Sequence, residues 1–472
     1  MKPYLHLLLA IVILSCGDHT AIDPEQPTDS ADTLTIFFIN DQHGQLSNFA
    51  KIKHIVDKEK ATNEHVLLVC AGDMFSGNPI VDQYEKKGYP MINIMNKTGF
   101  DVSVLGNHEF DYGPSHLKDR VLQAEFDWVC ANVDMKNSGV PQPDPFKTLT
   151  IGNLNVTFLG LVETFGKPGA IIPATHPWRV TEMQFRRHTD ILAKYRTLKE
   201  DEGADVLIAL THLGTQNDLE LAEIFPELDA VIGGHSHQKV NLTINETPVV
   251  QAGSYLALLG RLDLIVDKAR ITSSDVSFID LHDYAERDQD LADLIATYNN
   301  APQFNEVIGV ALSDHDRNEL GCFYTTALMD YLQVDMSFQN GGGIRSGIDA
   351  GDITTLEIYN MDPFNNQSVI FTMTAQEVSD FFTESRAGVH VSGVDFQQNG
   401  STLVLYKDGK AIPPEDLVTI GINDYIPAVY DQYFPLEKAE IQGLTTAETI
   451  IAYLKTINAT LDDEGCNRYF QY

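Results

Sequence analysis

Five short apolar runs in this sequence each lead into a side chain able to hold a cation or move a proton. Thr35 to Ile39 leads to Asp41 and His43, and Val66 to Ala71 leads to Asp73. Val102 to Leu105 passes through Gly106 into Asn107, His108 and Asp111. Val206 to Leu210 leads to His212, and Ala230 to Ile232 passes two glycines to reach His235 and His237. Residues two apart in extended chain point to one side, so Asp41 with His43, and His235 with His237, are spaced to grip one cation each. Taken singly, each is only a strand followed by a polar turn. Together, Asp41, His43, Asp73, Asn107, His212, His235 and His237 form a mixed oxygen and imidazole set, which suits zinc, manganese or iron better than calcium or magnesium. The set is too large for one tetrahedral ion. It suits two ions sharing a bridging carboxylate, the pair that clamps attacking and leaving oxygens in a phosphoryl displacement.

Side chains delivered from strand ends imply open α/β sheets, which keep their sites at the carboxyl ends of the strands. From Thr33 to about Asp267, apolar runs at 66–71, 101–105, 127–131, 155–161, 205–210 and 229–232 read as strands. They alternate with the amphipathic stretches Leu46 to Lys60, Tyr84 to Thr98, Ser115 to Ala124 and Glu182 to Glu202, read as helices. Runs near 247–251, 256–266 and 270–279 lack long helices between them and predict added antiparallel strands. The pattern predicts a layered α/β domain over 33–280 and a linking helix within 281–303. A second domain occupies 304–472 and carries three landmarks. Asn340-Gly-Gly-Gly-Ile-Arg345 follows an apolar run, and its arginine is able to fork onto a phosphate. Met361 to Asn365 presents Phe364, and Gly421 to Tyr425, with Asp431 beyond it, presents a second ring; two such rings can sandwich a nucleobase.

The order Asp-x-His, Gly-Asp, Gly-Asn-His-Glu, His, Gly-His-x-His resembles the signature of the calcineurin-like metallophosphoesterases. The Asn-His-Glu-Phe-Asp form and the second-domain landmarks narrow the resemblance to the 5′-nucleotidase family, from about Thr33 to the C-terminus. The resemblance implies a four-layered αββα domain followed by a smaller α/β domain. It implies that Asp41, His43 and His237 hold one divalent ion, that Asn107, His212 and His235 hold another, and that Asp73 bridges them. Zinc or manganese is expected foremost, with iron and cobalt tolerated. His108 and Asp111 look like the family's catalytic dyad, Asn340 and Arg345 like nucleotide contacts, Phe364 and Tyr425 like the base clamp, and Asp431 like the acid at the ribose. The implied activity is hydrolysis of nucleoside 5′-monophosphates. UDP-sugar or 2′,3′-cyclic nucleotide cleavage is the alternative on the same metals, and a non-catalytic envelope binding protein is a remote one. A sulfur–sulfonate hydrolase of related fold would leave Phe364 and Tyr425 without a role. Two departures thin the phosphate grip: only Arg317 stands in the region where the family has further arginines, and Val429-Tyr430-Asp431 replaces Gly-Gly-Asp.

A formal net charge of −35 argues against nucleic-acid backbone or anionic lipid as the main partner. It does not exclude a phosphate substrate, because divalent cations invert the field locally. Lys2 precedes the apolar stretch Leu5 to Leu14, which is too short to span a bilayer and ends at Cys16. Residues 1–16 resemble a bacterial lipoprotein signal with Cys16 lipidated, an ordinary secretory signal cleaved nearby being the alternative, and 17–32 read as a flexible tether. That predicts an exported, lipid-anchored protein of the bacterial envelope. The sequence does not define an oligomeric state. Cys70 and Cys130 end apolar runs and read as buried thiols.

Overall fold

The computed structural model describes residues 31–400, 402–457, 460–462 and 468–472. The expected signal segment, Cys16 and nearly all of the tether lie outside the described residues.

Two six-stranded sheets lie face to face in the first half of the chain. The first runs, edge to edge, Arg270–Asp280, Leu258–Asp267, Asp32–Ile39, Val66–Cys70, Val102–Val104 and Asp127–Val129. Its last four strands are parallel, and the 258–267 and 270–280 strands add antiparallel. The second runs Lys239–Ile244, Thr247–Ala252, Ala230–Ile232, Val206–His212, Leu154–Val162 and Phe146–Ile151, with a parallel centre and antiparallel edges. Alternation along Asp32–Ile39 explains the layering. Leu34, Ile36 and Phe38 face the second sheet, while Phe37 and Ile39 face helices. Those outer helices are Phe49–Lys60, Tyr89–Thr98, Gly113–Gln123 and Gln289–Asn299. Thr215–Ile224 and short turns over 188–201 cover the second sheet. The result is the αββα stack. Gly260 is required in it, because a Cβ there would sit 2.2 Å from the Phe38 ring.

Several elements depart from the sequence reading for local reasons. The helix expected over 182–202 is broken into His188–Ile191, Leu192–Tyr195 and Leu198–Asp201. Its start is pulled into a strand, with Phe185 paired to Val133 and the Arg186 N–H on the Asn132 carbonyl. Tyr89–Thr98 begins five residues late, with Pro90 in its first turn, where a proline's missing N–H costs nothing. The linking helix is Gln289–Asn299, capped by Asp288, and it packs Leu291 and Ile295 onto the first sheet's helical layer.

The second half is built on a six-stranded sheet ordered Glu440–Thr445, Gln367–Thr374, Leu417–Asn423, Met336–Asn340, Val389–Ser392 and Tyr469–Phe470. Helix Ala375–Ser385, capped reciprocally by Thr374 and Glu377, packs Phe381 and Phe382 beside Phe338 and Phe371. Leu320–Leu332 and Thr446–Ile457 pack in a separate cluster. Cys70 and Cys130 are buried free thiols whose pKa burial pushes up to about 12, so both are inert at neutral pH. Cys322 is disulfide-bonded.

Candidate active site

The carboxyl ends of the parallel strands of both sheets meet at one cluster. Asp41 and His43 follow Asp32–Ile39, Asp73 follows Val66–Cys70, and Asn107 and His108 follow Val102–Val104. From the other sheet, His212 closes Val206–His212, and His235 and His237 follow Ala230–Ile232. Three overlapping groups each bring their ligand atoms within 4.8 Å of one another: Asp41, His43 and His237; Asp73, His212 and His235; and His43, Asp73 and His108. Asp73 Oδ2 lies between them, 3.0 Å from His212 Nε2 and 4.0 Å from His43 Nε2.

The donor chemistry fits two divalent ions. His43 Nδ1–H donates to the Ser76 carbonyl at 3.1 Å, and His212 Nδ1–H to the Ala71 carbonyl at 2.6 Å. In a neutral ring this leaves each Nε2 as a bare lone pair facing the cluster, the second-sphere device that orients metal-ligating histidines. His43 Nε2 faces His237 Nε2 at 2.9 Å. His212 Nε2 lies buried 3.0 Å from Asp73 Oδ2, so a cation held by both would displace the proton that the imidazole otherwise keeps there. Asn107 Nδ2 donates to the Ala174 carbonyl at 3.0 Å, which turns its Oδ1 to within 2.9 Å of His235 Nδ1. Buried lone pairs facing one another repel unless a cation or a proton lies among them.

Burial is the first cause of the shifted pKa values. It holds His43 well below its usual value, with the His108 charge adding to it, and it brings His235 and His237 to about 4. It lifts Asp41 to about 6. It also opposes ionisation of Asp73, but His212 and His108 outweigh it and keep that carboxyl well below its usual value. At His212 burial is overcome by Asp73, and the pKa rises to about 10.

Asp41, His43, Asp73, His235 and His237 have positive φ, between 46° and 78°, the left-handed region that L-residues with a Cβ seldom adopt. Glu109 helps hold the backbone there: its buried carboxylate accepts from the N–H groups of Asp73 (3.0 Å), Met74 (2.7 Å) and Gly106. Gly106 itself admits no side chain, since a Cβ would sit 2.2 Å from Asp73 Oδ1.

His108 Nδ1 lies 2.6 Å from Asp111 Oδ2, and Asp111 also accepts from Ser76 Oγ and Thr175 Oγ1, each at 2.7 Å. Burial lowers the His108 pKa, but the Asp111 and Asp73 carboxylates outweigh it and the net shift is upward. A cavity of about 240 Å³ opens above this pair. Asp73, Asn107, His108 and His235 line one side, and Asn340, Arg345, Phe364 and Tyr425 of the second domain line the other. The Phe364 ring packs nearly parallel to His108, centroids 5.8 Å apart, and Arg345 lies 5.7 Å from the Phe364 centroid. Arg345 Nη2 is buried without a hydrogen-bond partner.

Asp431 lies apart from the cavity lining: its side chain is 63% exposed and is paired with Lys167 Nζ at 2.7 Å. Arg317 likewise lies outside the lining and donates to the Gly341 carbonyl at 3.1 Å. Thr175, His176, Arg179 and Asn366 line the cavity without having been singled out in the sequence. The first three lie between Leu154–Val162 and Gln184–Phe185, outside any strand, and only their spacing from the cluster in three dimensions reveals them. Glu109 stood in the sequence beside the dyad, but its role depends on backbone N–H groups that no motif shows.

Residues 34–239 match the calcineurin-like phosphoesterase family and residues 295–435 match the 5′-nucleotidase C-terminal domain. Fold and site together thus define a two-domain architecture led by a calcineurin-like phosphoesterase unit. The trifunctional nucleotide phosphoesterase protein YfkN of Bacillus subtilis is 28% identical over 87% of this chain, which spans only 33% of that protein's length. A 5′-nucleotidase of Vibrio vulnificus is 25% identical over 90% of both chains. The crystal structure of a 5′-nucleotidase precursor from Thermus thermophilus shares the fold, with a TM-score of 0.79 at 22% identity, covering 91% of this chain and 97% of that one. By these two domains, which together span most of it, the chain belongs to the 5′-nucleotidase family.

Proposed function

We propose that the protein hydrolyses nucleoside 5′-monophosphates to nucleoside and phosphate. Asp41, His43 and His237 would hold one divalent ion, Asn107, His212 and His235 a second, with Asp73 bridging. The observation that carries this reading is a single cavity with the ligand-type cluster on one wall and a free arginine edge and two aromatic rings on the other. The name of the Vibrio vulnificus relative supports the substrate class.

Two such ions, when bound, supply Lewis acidity at the phosphoryl oxygens and lower the pKa of an attacking water. Arg345 offers its unpaired edge to the phosphate, and Asn340 adds a hydrogen bond. Phe364 and Tyr425 hold the base by stacking. Asp111 fixes the His108 ring at Nδ1 and favours its charged form. His108 Nε2 then stabilises charge growing on the phosphoryl group or gives a proton to the departing oxygen. Asp431, tied to Lys167, takes no part in this reading. The reading also places the protein outside the cytoplasm on a lipidated Cys16; among the described residues no helix is long and apolar enough to cross a membrane.

The test is product release by purified protein with manganese or zinc, comparing AMP and UMP with a UDP-sugar and 2′,3′-cyclic AMP, whose organic products are followed directly. Turnover of AMP or UMP that a chelator abolishes is expected. A preference for the UDP-sugar or the cyclic nucleotide overturns the monophosphate assignment. Inactivity of metal-loaded protein on every substrate overturns the hydrolase.

A further inference from the structure

The two second-domain loops that carry aromatic rings are each gripped by side chains of the first domain. The Tyr425 loop meets His176, whose Nε2 lies 3.3 Å from Asp424, and Lys167, which donates to the Ala428 carbonyl at 3.1 Å. The Phe364 loop is held more closely. Gln83 Nε2 donates to Asn365 Oδ1 at 2.7 Å, and Arg179 Nη2 donates to the carbonyls of Phe364 at 3.2 Å and Asn365 at 3.4 Å. Asn365 has a φ of 54°, in the left-handed region that asparagine adopts more readily than most residues. The other arm of Arg179, Nη1, donates to the backbone carbonyl of Asp111. One guanidinium therefore ties the residue that orients His108 to the backbone that carries the ring packed on His108.

We propose that Arg179 is a positioning residue that sets the Phe364 ring and the Asp111–His108 pair in register across the domain boundary. The inference rests on the nucleotidase reading for its consequence, because a stacked base and a proton-handling imidazole must address one substrate. Its geometry needs a planar fork. A guanidinium presents donors along two edges at fixed angles, so one arm can satisfy Asp111 while the other spans two successive carbonyls. These acceptors are neutral carbonyl oxygens, so the group keeps its charge close to the dyad. That charge acts with His108 to hold Asp111 ionised against burial.

The experiment compares wild type with R179Q, R179K and Q83A, all metal-loaded. Amide exchange of the segment 362–367 is followed by mass spectrometry. Steady-state rates are measured on AMP and on glycerol phosphate, a phosphomonoester with no ring to stack. R179Q is expected to speed exchange in that segment severalfold. It should also lower kcat/KM for AMP about tenfold more than for glycerol phosphate. R179K should match R179Q, because a single ammonium keeps the charge but loses the fork. Q83A, which releases Asn365 without touching Asp111, should speed exchange and raise KM for AMP by a smaller factor. Unchanged exchange in R179Q, equal losses on both substrates, or full rescue by lysine overturns the proposal. If wild type turns over neither substrate, the nucleotidase reading fails, and the exchange data alone decide whether Arg179 positions the loop.

Discussion

Adding a divalent metal to chelator-stripped protein at pH 7 is expected to release about one proton per molecule, and the source is His212. His43, well below its usual pKa, and His235 and His237, at about 4, are already neutral at that pH. Asp73 is already ionised, and Asp41, at about 6, is largely so. His212 differs: Asp73 lifts it to about 10, so in the metal-free protein it carries protons on both nitrogens. Its Nδ1 proton is committed to the Ala71 carbonyl, so the Nε2 proton is the one that must leave. Affinity at the His212 site should therefore rise about tenfold, or ~1.4 kcal/mol, per pH unit from pH 7 to 9. The pH dependence of stability differs between the two forms. The His212 pKa is raised on folding, so in metal-free protein its contribution is complete below the unfolded value of 6.5 and is lost as pH rises through about 10. Metal-loaded protein holds His212 neutral, as the unfolded chain does above pH 6.5, so at fixed free metal its stability stays level in His212 over the same range; a hundredfold excess over Kd adds ~2.7 kcal/mol for each site. Titration calorimetry in two buffers of different ionisation heat counts the protons, and melting curves with and without chelator follow the divergence. No proton released at pH 7, or equal affinity at pH 7 and 9, would refute the assignment of His212 as the displaced acid.

Three further outcomes follow from the same geometry. His108→Ala should lower turnover ~10²- to 10⁴-fold, the usual worth of a positioned acid or base, while bound metal measured by elemental analysis stays at the wild-type level. Phe364→Ala should raise KM for AMP ~5- to 150-fold, the equivalent of ~1–3 kcal/mol of base stacking, and change the rate on glycerol phosphate far less. Asp362, buried against Tyr324 and Thr446, is lifted by burial from 3.8 to about 6. Its stabilising contribution is complete below pH 4 and lost as pH rises through 6, so Asp362→Asn should flatten that fall in denaturant midpoints measured between pH 4 and 7.

The first domain's interior strands were legible because a strand buried on both faces reads as a near-continuous apolar run, as Val66–Cys70 does and Val206–His212 does up to Thr211. Edge strands carry a weaker mark. Apart from buried Val240, Phe146–Ile151 and Lys239–Ile244 are half-buried or exposed, and no continuous apolar run announces either. Helix Glu182–Glu202 failed because pairing at Phe185 outweighs local periodicity. At the site, side chains that follow a strand within a few residues could be read in order, since the strand fixes where they emerge. Arg179 and Thr175 could not, because they sit on a long excursion between Leu154–Val162 and Val206–His212 whose path is set by tertiary contacts. Asp431, in a telling sequence position, lies outside the cavity lining and pairs with Lys167, a lysine that has no motif of its own.

The left-handed backbone at Asp41, His43, Asp73, His235 and His237 has a consequence for how this chain can change. At each of these positions glycine is the residue the local conformation favours, and a side chain with a Cβ costs roughly 1–2 kcal/mol there. At His43, His235 and His237 a change to glycine would relax the polypeptide while removing a ligand. At Asp41 and Asp73 the gain is offset, because their carboxylates accept the N–H groups of His235 and His108, which glycine would leave unpaired. A redesign guided by thermal stability alone would therefore tend to strip the imidazoles from the centre, keep its two carboxylates and leave a folded, inert protein.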